Sequence, residues 1–149
     1  MTGNIAIFWP MIVQAFLTLG IYGLVFNRRK AAVKAGEANF GTFRVPTNEP
    51  AKSAAAVRNL SNQYELPVLF YVVCLSLYVT NGADWLAVVL AWIFVVLRLV
   101  HAYVHLGSND LRLRIPVFFG GVIAVFLLWV ILAIHIAKGS ILSAVGGPF

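Results

Sequence analysis

From Ile115 to Ala137 the chain runs without a single Lys, Arg, Asp or Glu. Wound as a helix at 1.5 Å per residue, a run of this length crosses a hydrocarbon core of about 30 Å. Three more apolar segments precede it: Ile5 to Phe26, Val57 to Val79 and Trp85 to Leu106. Together they predict an all-α integral membrane bundle of four spans, one domain over residues 1–149. Composition excludes a soluble alternative: 61% of residues are hydrophobic and 11% charged, whereas soluble domains carry about 25% charge. The first segment lacks a basic leader and exceeds the roughly 7–15 residues of a signal-peptide core, so it reads as a retained helix. Cys74, the one cysteine, lies in an apolar run, forms no intrachain disulfide and reads as a small buried hydrophobe.

The charges set an orientation. The connection 27–56, interrupted by Gly36, Gly41, Pro46 and Pro50, carries Arg28, Arg29, Lys30, Lys34, Arg44 and Lys52, with Arg58 at its edge. The third connection carries Arg112 and Arg114. The second, an Asn-Gly turn at Thr80 to Asp84, has neither Lys nor Arg, and the tail has only Lys138. The positive-inside rule therefore puts loops 1 and 3 in the cytoplasm and both termini outside, as would suit a bacterial inner membrane. Topology accounts for the net charge of +6, and no nucleic-acid signature accompanies it.

The second span is the unusual one. Its purely apolar part, Leu66 to Val79, is short, and it reaches spanning length only by including Arg58, Asn62 and Glu65. Ionisable groups within a span face protein or water and mark function more often than not. Arg58, Asn62 and Glu65 fall at i, i+4 and i+7, one face of a helix; so do Arg98, His101 and His105, at i, i+3 and i+7. Equating the ends of two antiparallel helices pairs Arg58 with His105, Asn62 with His101 and Glu65 with Arg98. Two readings stand: a structural network holding helices in register, or a polar cleft open to the cytoplasm with Glu65 and Arg98 partnered at its floor. Six polar residues on matching stripes favour the cleft, and its cationic mouth suits a ligand with carboxylates. His101 and His105 have zinc-like i, i+4 spacing, but no His-Glu-x-x-His motif accompanies them, so no metal is expected. His135 reads as interfacial, and Gly120-Gly121 as a site of close helix packing.

Four short spans, a long basic first loop, and Arg58-x-x-x-Asn62-x-x-Glu65 followed by Pro67 and aromatics resemble the MAPEG family, the membrane-associated proteins in eicosanoid and glutathione metabolism. Arg98, the polar residues after it, and Arg112 also look similar. The resemblance implies a homotrimer in contact with membrane lipids. It implies glutathione as co-substrate near the cytoplasmic face between subunits, and a lipophilic small-molecule substrate arriving from the bilayer. It assigns Arg28, Arg58, Asn62, Glu65, Arg98, His101 and His105 to binding, and Arg112 and Arg29 to the thiol chemistry of a transferase or peroxidase. A guanidinium favours thiolate over thiol. The eicosanoid enzymes of the family carry tyrosines where this chain has His101 and His105, and Tyr64 precedes Glu65 instead of following it. A non-catalytic protein of the same fold that holds a lipid or other anionic small molecule is the alternative.

Overall fold

The computed structural model describes residues 3–45 and 48–145; Pro46 lies outside them. Among these residues it is all-α: α1 (Phe8–Lys34), α2 (Ala51–Ser61), α3 (Leu66–Val79), α4 (Trp85–Leu106) and α5 (Leu111–Val145), with 3-10 turns at Ile5–Ile7 and Phe40–Arg44. Three helical stretches, Ile5–Lys34, Trp85–Leu106 and Leu111–Ile141, are long and apolar enough to cross a membrane.

The helix ends follow from local chemistry. Asp84 Oδ1 accepts from Ala87 N–H at 2.8 Å and caps α4; Asp110 Oδ1 accepts from Arg112 N–H at 2.9 Å in the first turn of α5. Gly36 terminates α1 at φ 75°. Glu37 N–H bonds Ala32 O and Gly36 N–H bonds Val33 O, the double closure that a glycine in the left-handed region permits. The expected Asn-Gly turn is present: Asn81 has φ 58°, and Gly82 N–H donates to Leu77 O at 2.8 Å. A side chain at Gly82 would meet the His135 ring at 2.7 Å, and His135 Nε2 in turn lies 2.8 Å from Thr80 O. Gly120 does permit close packing, its α-carbon facing Leu97 of α4.

The expected second span, 57–79, is not one helix. α2 stops at Ser61 and α3 starts at Leu66. Pro67 supplies the cause: it has no N–H to give the carbonyl of Gln63, and its ring collides with that carbonyl in a continuous helix. A proline near the start of a new helix meets neither penalty. The helical face that joined Arg58, Asn62 and Glu65 is therefore interrupted at residues 62–65. The first connection is also more helical than expected, since α1 continues to Lys34 and α2 begins at Ala51.

α3 has 14 residues, about 21 Å of helix and too short to cross alone. With α2 it forms one antiparallel pass along α1. Arg29 pairs with Glu49 at one end, Gln14 bonds Gln63 midway, and Gly3 N–H reaches Asn81 Oδ1 at the other. α4 packs mainly on α5, and α3 on α5.

The core comes in two apolar clusters. Ile7, Phe70, Cys74, Leu77, Ala91, Phe94 and Leu128 belong to the larger, and Ile21, Val25, Ala56 and Ala102 form the smaller. Between them along α1, α2 and α4 lies a buried polar layer of Gln14, Asn59, Gln63, Arg98 and His101, each no more than 2% exposed. Gln14 Nε2 donates to Gln63 Oε1 at 2.9 Å, and Gln63 Nε2 donates to Asn59 Oδ1 at 3.2 Å. This chain of amides ties the broken pass to α1. Substituting Gln14→Leu and Gln63→Leu, singly and together, should give a coupling of about 0.6 kcal/mol and no more than about 1.7, the range for hydrogen bonds between membrane helices. Denaturation of the detergent-solubilised protein measures it; strict additivity would contradict the tie.

Candidate functional site

In the hydrocarbon, backbone groups released by a helix break must find partners within the protein. At this break Arg98 of α4 supplies one, Nη2 donating to Asn62 O at 2.9 Å. The side chain is among the largest fully buried ones in the protein. Its Nε and Nη1, and the Nδ1 atoms of His101 and His105, are buried without a hydrogen-bond partner among the described residues. Among the described residues Glu65 and Arg98 form no direct ion pair: Glu65 is exposed at the break, near enough for electrostatic attraction, while the Asn62 carbonyl takes the guanidinium's hydrogen bond.

Beside the break is a cavity of about 200 Å³ lined by Asn62, Glu65, His101 and Arg114, with Ile115, Phe118 and Phe119 of α5 as its apolar wall. The His101 ring lies 5.7 Å from Phe118 and 5.7 Å from His105. Arg114 is held by its neighbours: Nη1 donates to Asn109 Oδ1 at 2.6 Å, and Asn109 itself sits at φ 52°, a conformation asparagine tolerates. The cavity therefore offers a carboxylate, a guanidinium, an amide and an imidazole against an aromatic wall. Arginine suits carboxylates by geometry as well as charge, and Glu65 can meet an ammonium. Among the described residues no group of three or more His, Cys, Asp or Glu is placed to hold a metal ion.

The other residues singled out from the sequence distribute around this cavity. Arg28 joins two elements at its basic end, donating from Nη1 to Lys52 O at 2.8 Å and from Nη2 to Leu106 O at 3.1 Å, next to His105. It thereby meets the carbonyl end of α4, where cations are favoured. Arg29 turns away: Nε and Nη2 grip Glu49 at 2.7 and 3.0 Å, and its guanidinium carbon lies 4.9 Å from the Phe43 ring centre. Arg58 and Arg112 are exposed, and neither lines the cavity. Arg114, two positions beyond Arg112, does. In the sequence Arg114 is one of two arginines of the third connection, and nothing there marks Asn59, Gln63 or Glu49. Gln14 carried a signal, a polar side chain inside an otherwise apolar run.

Residues 7–134 match the sequence profile of the MAPEG family. The chain is a member of the MAPEG family. No curated protein and no solved structure gives a significant match. This MAPEG protein is accordingly an integral membrane protein of a family associated with eicosanoid and glutathione metabolism.

Two outcomes follow. Arg98→Met leaves the Asn62 carbonyl without its donor and should lower stability by about 1–3 kcal/mol. Relief from burying a charge opposes the loss and keeps it below the roughly 3–5 kcal/mol of a broken buried ion pair. Thermal denaturation in detergent measures this, and an unchanged or raised Tm contradicts the capping role. The second outcome concerns Glu49, whose side chain is 2% exposed. Its hydrogen bonds from Arg29 hold the carboxyl below the usual glutamate range. A depressed folded-state pKa gives stability that is complete above the unfolded value, about 4.3, and is lost as pH falls through the folded one. Glu49→Gln should therefore flatten the decline of Tm below about pH 4.3; parallel profiles for wild type and variant would contradict it.

Proposed function

We propose that this MAPEG protein is a glutathione-dependent transferase or peroxidase acting on lipophilic electrophiles. The observation that carries the reading is the mixed cavity at the helix break, in which Glu65, Asn62, His101 and Arg114 face one space directly beside buried Arg98. Glutathione bears two carboxylates and one ammonium. Arg114 and Arg98 answer the carboxylates, Glu65 the ammonium, and Asn62 and His101 the peptide groups between. Arg58 and Arg28 add to the cationic approach. The site lies on the basic side, cytoplasmic by the positive-inside rule.

The thiol must ionise near neutral pH. A neighbouring guanidinium stabilises the thiolate but cannot itself accept the proton, which passes to water. Arg112 and Arg29 are the arginines that family resemblance assigns to this step; Arg29 is already gripped by Glu49, whereas Arg112 sits in the turn that leads to Arg114. The thiolate then forms a carbon–sulfur bond to an electrophilic lipid, adding across an activated double bond or opening an epoxide carbon–oxygen bond, and the carbanion or alkoxide so formed takes a proton from water. In the peroxidase reaction the thiolate attacks the terminal hydroperoxide oxygen, the oxygen–oxygen bond breaks and the protonated alcohol leaves; a second glutathione then attacks the sulfenic acid and releases water as the disulfide forms. The exposed apolar stripe Trp9, Phe16, Leu19 and Phe26 on α1 suits contact with lipid or with other copies in a homotrimer. A second reading, binding without chemistry, is favoured by the exposure of Arg112 and by His101 and His105 at positions of family tyrosines.

Calorimetric titration of glutathione into the purified protein tests the reading. Wild type should bind saturably, and Glu65→Gln and Arg114→Ala should each weaken binding about tenfold or more, as for loss of a charged hydrogen bond. Undiminished affinity in both variants overturns the assignment of the cavity, and a folded wild type that does not bind overturns glutathione itself. In turnover with electrophilic lipids, Arg112→Ala should lower kcat by about 10²-fold with unchanged affinity. Saturable binding with no turnover across such substrates selects the second reading.

A further inference from the structure

A larger cavity, about 540 Å³, lies away from the helix break, between the basic end of α1 and the 3-10 turn Phe40–Arg44. Its walls are apolar: Phe26, Val33, Phe40 and Phe43 together with the aliphatic stems of Lys30, Lys34 and Arg29; Lys30 and Lys34 are themselves exposed, with their charged ends towards solvent. Phe26, Lys30 and Lys34 recur every four residues, so they follow one face of α1. The opposite wall is fixed: Arg29 stacks on Phe43 and is held by Glu49. Phe40, 85% exposed, stands at the rim. The one salt bridge among the described residues is Arg29–Glu49, so neither Lys30 nor Lys34 takes part in one there.

Depth in the membrane decides what the cavity can hold. Counted from Trp9, an interfacial residue type at the start of α1, a hydrocarbon thickness of about 30 Å is used up near Arg28. Phe26 then lies within the acyl region, while Lys30 and Lys34, one and two turns further, lie at the level of the headgroups. The apolar cavity thus opens at the boundary, with the exposed Lys30 and Lys34, in no salt bridge among the described residues, on its water side. A neutral hydrophobe would leave those ammoniums unanswered, and a soluble anion would leave the phenylalanines wet.

We propose that this cavity is a binding site for one anionic phospholipid of the leaflet on the protein's basic side. Its phosphate sits between Lys30 and Lys34, and an acyl chain passes Phe40 and Phe43 and follows Phe26 into the bilayer. The site does not depend on the glutathione reading, since it shares no lining residue with the cavity at the break. Lipid bound here would brace the turn Phe40–Arg44 against α1.

The test is native mass spectrometry of the full chain in detergent, titrated with phosphatidylglycerol and with phosphatidylcholine of the same acyl chains. Wild type should retain phosphatidylglycerol at least tenfold more tightly. Lys30→Ala/Lys34→Ala should bring it to the level of phosphatidylcholine, consistent with the attraction of two basic residues near a membrane surface. Lys30→Arg/Lys34→Arg should keep the preference, and so should Lys138→Ala at the opposite end of the molecule. Phe40→Ser should weaken both lipids together. A preference that survives Lys30→Ala/Lys34→Ala, or one absent from wild type, overturns the proposal. Displacement of the lipid by millimolar inorganic phosphate also overturns it, in favour of a site for free phosphate.

Discussion

The carbonyl of Asn62 is the point on which the bundle turns. Pro67 prevents the second pass from continuing as one helix, and inside a bilayer the groups so released cannot turn to water. Arg98 answers that carbonyl from the neighbouring helix. A guanidinium placed there must be buried, and a buried guanidinium needs polar surroundings. The layer of Gln14, Asn59, Gln63 and His101 lies around it, with an apolar cluster on either side. The amide chain from Asn59 through Gln63 to Gln14 fixes the broken pass against α1 while Arg98 fixes it against α4.

The same constraint creates the cavity. A continuous helix would carry Asn62 and Glu65 on a smooth face; the break opens a space beside them, which the first turns of α5 close with Arg114 and the two phenylalanines. The residues that hold the break thus also border the cavity. Arg98 supports the break with one nitrogen, and its Nε and Nη1 are without a partner among the described residues. Loss of binding on removing Arg98 would consequently carry little weight as proof of a binding site, whereas Glu65 and Arg114 line the cavity without holding the break.

Much of this was legible in the sequence. The apolar runs and charge distribution announced a membrane bundle, α4 begins and ends where its apolar run does, and the Asn-Gly turn is where its two residues demand it. Asn62, Glu65 and His101 do come together. What periodicity could not carry was the assumption behind it: a helical face exists only where the helix is continuous, and Pro67, two residues past Glu65, ends that continuity. Hence Glu65 and Arg98 form no direct ion pair among the described residues, and the guanidinium bonds the Asn62 carbonyl instead. Arg114 and Arg112 are chemically identical in sequence, and only the path of the chain through Asn109 and Asp110 decides which guanidinium faces the cavity. Glu49 and Arg29 lie far apart along the chain and meet only because α2 folds back on α1.

The most direct test is hydrogen exchange across residues 59–66 of the wild-type protein, with and without saturating glutathione. If the break held by Arg98 is where the ligand rests, exchange at Asn62 to Leu66 slows on binding while the turn at Thr80 to Asp84 is unaffected. Saturated binding with no change at 62–66, or with protection confined to another part of the chain, would contradict the account.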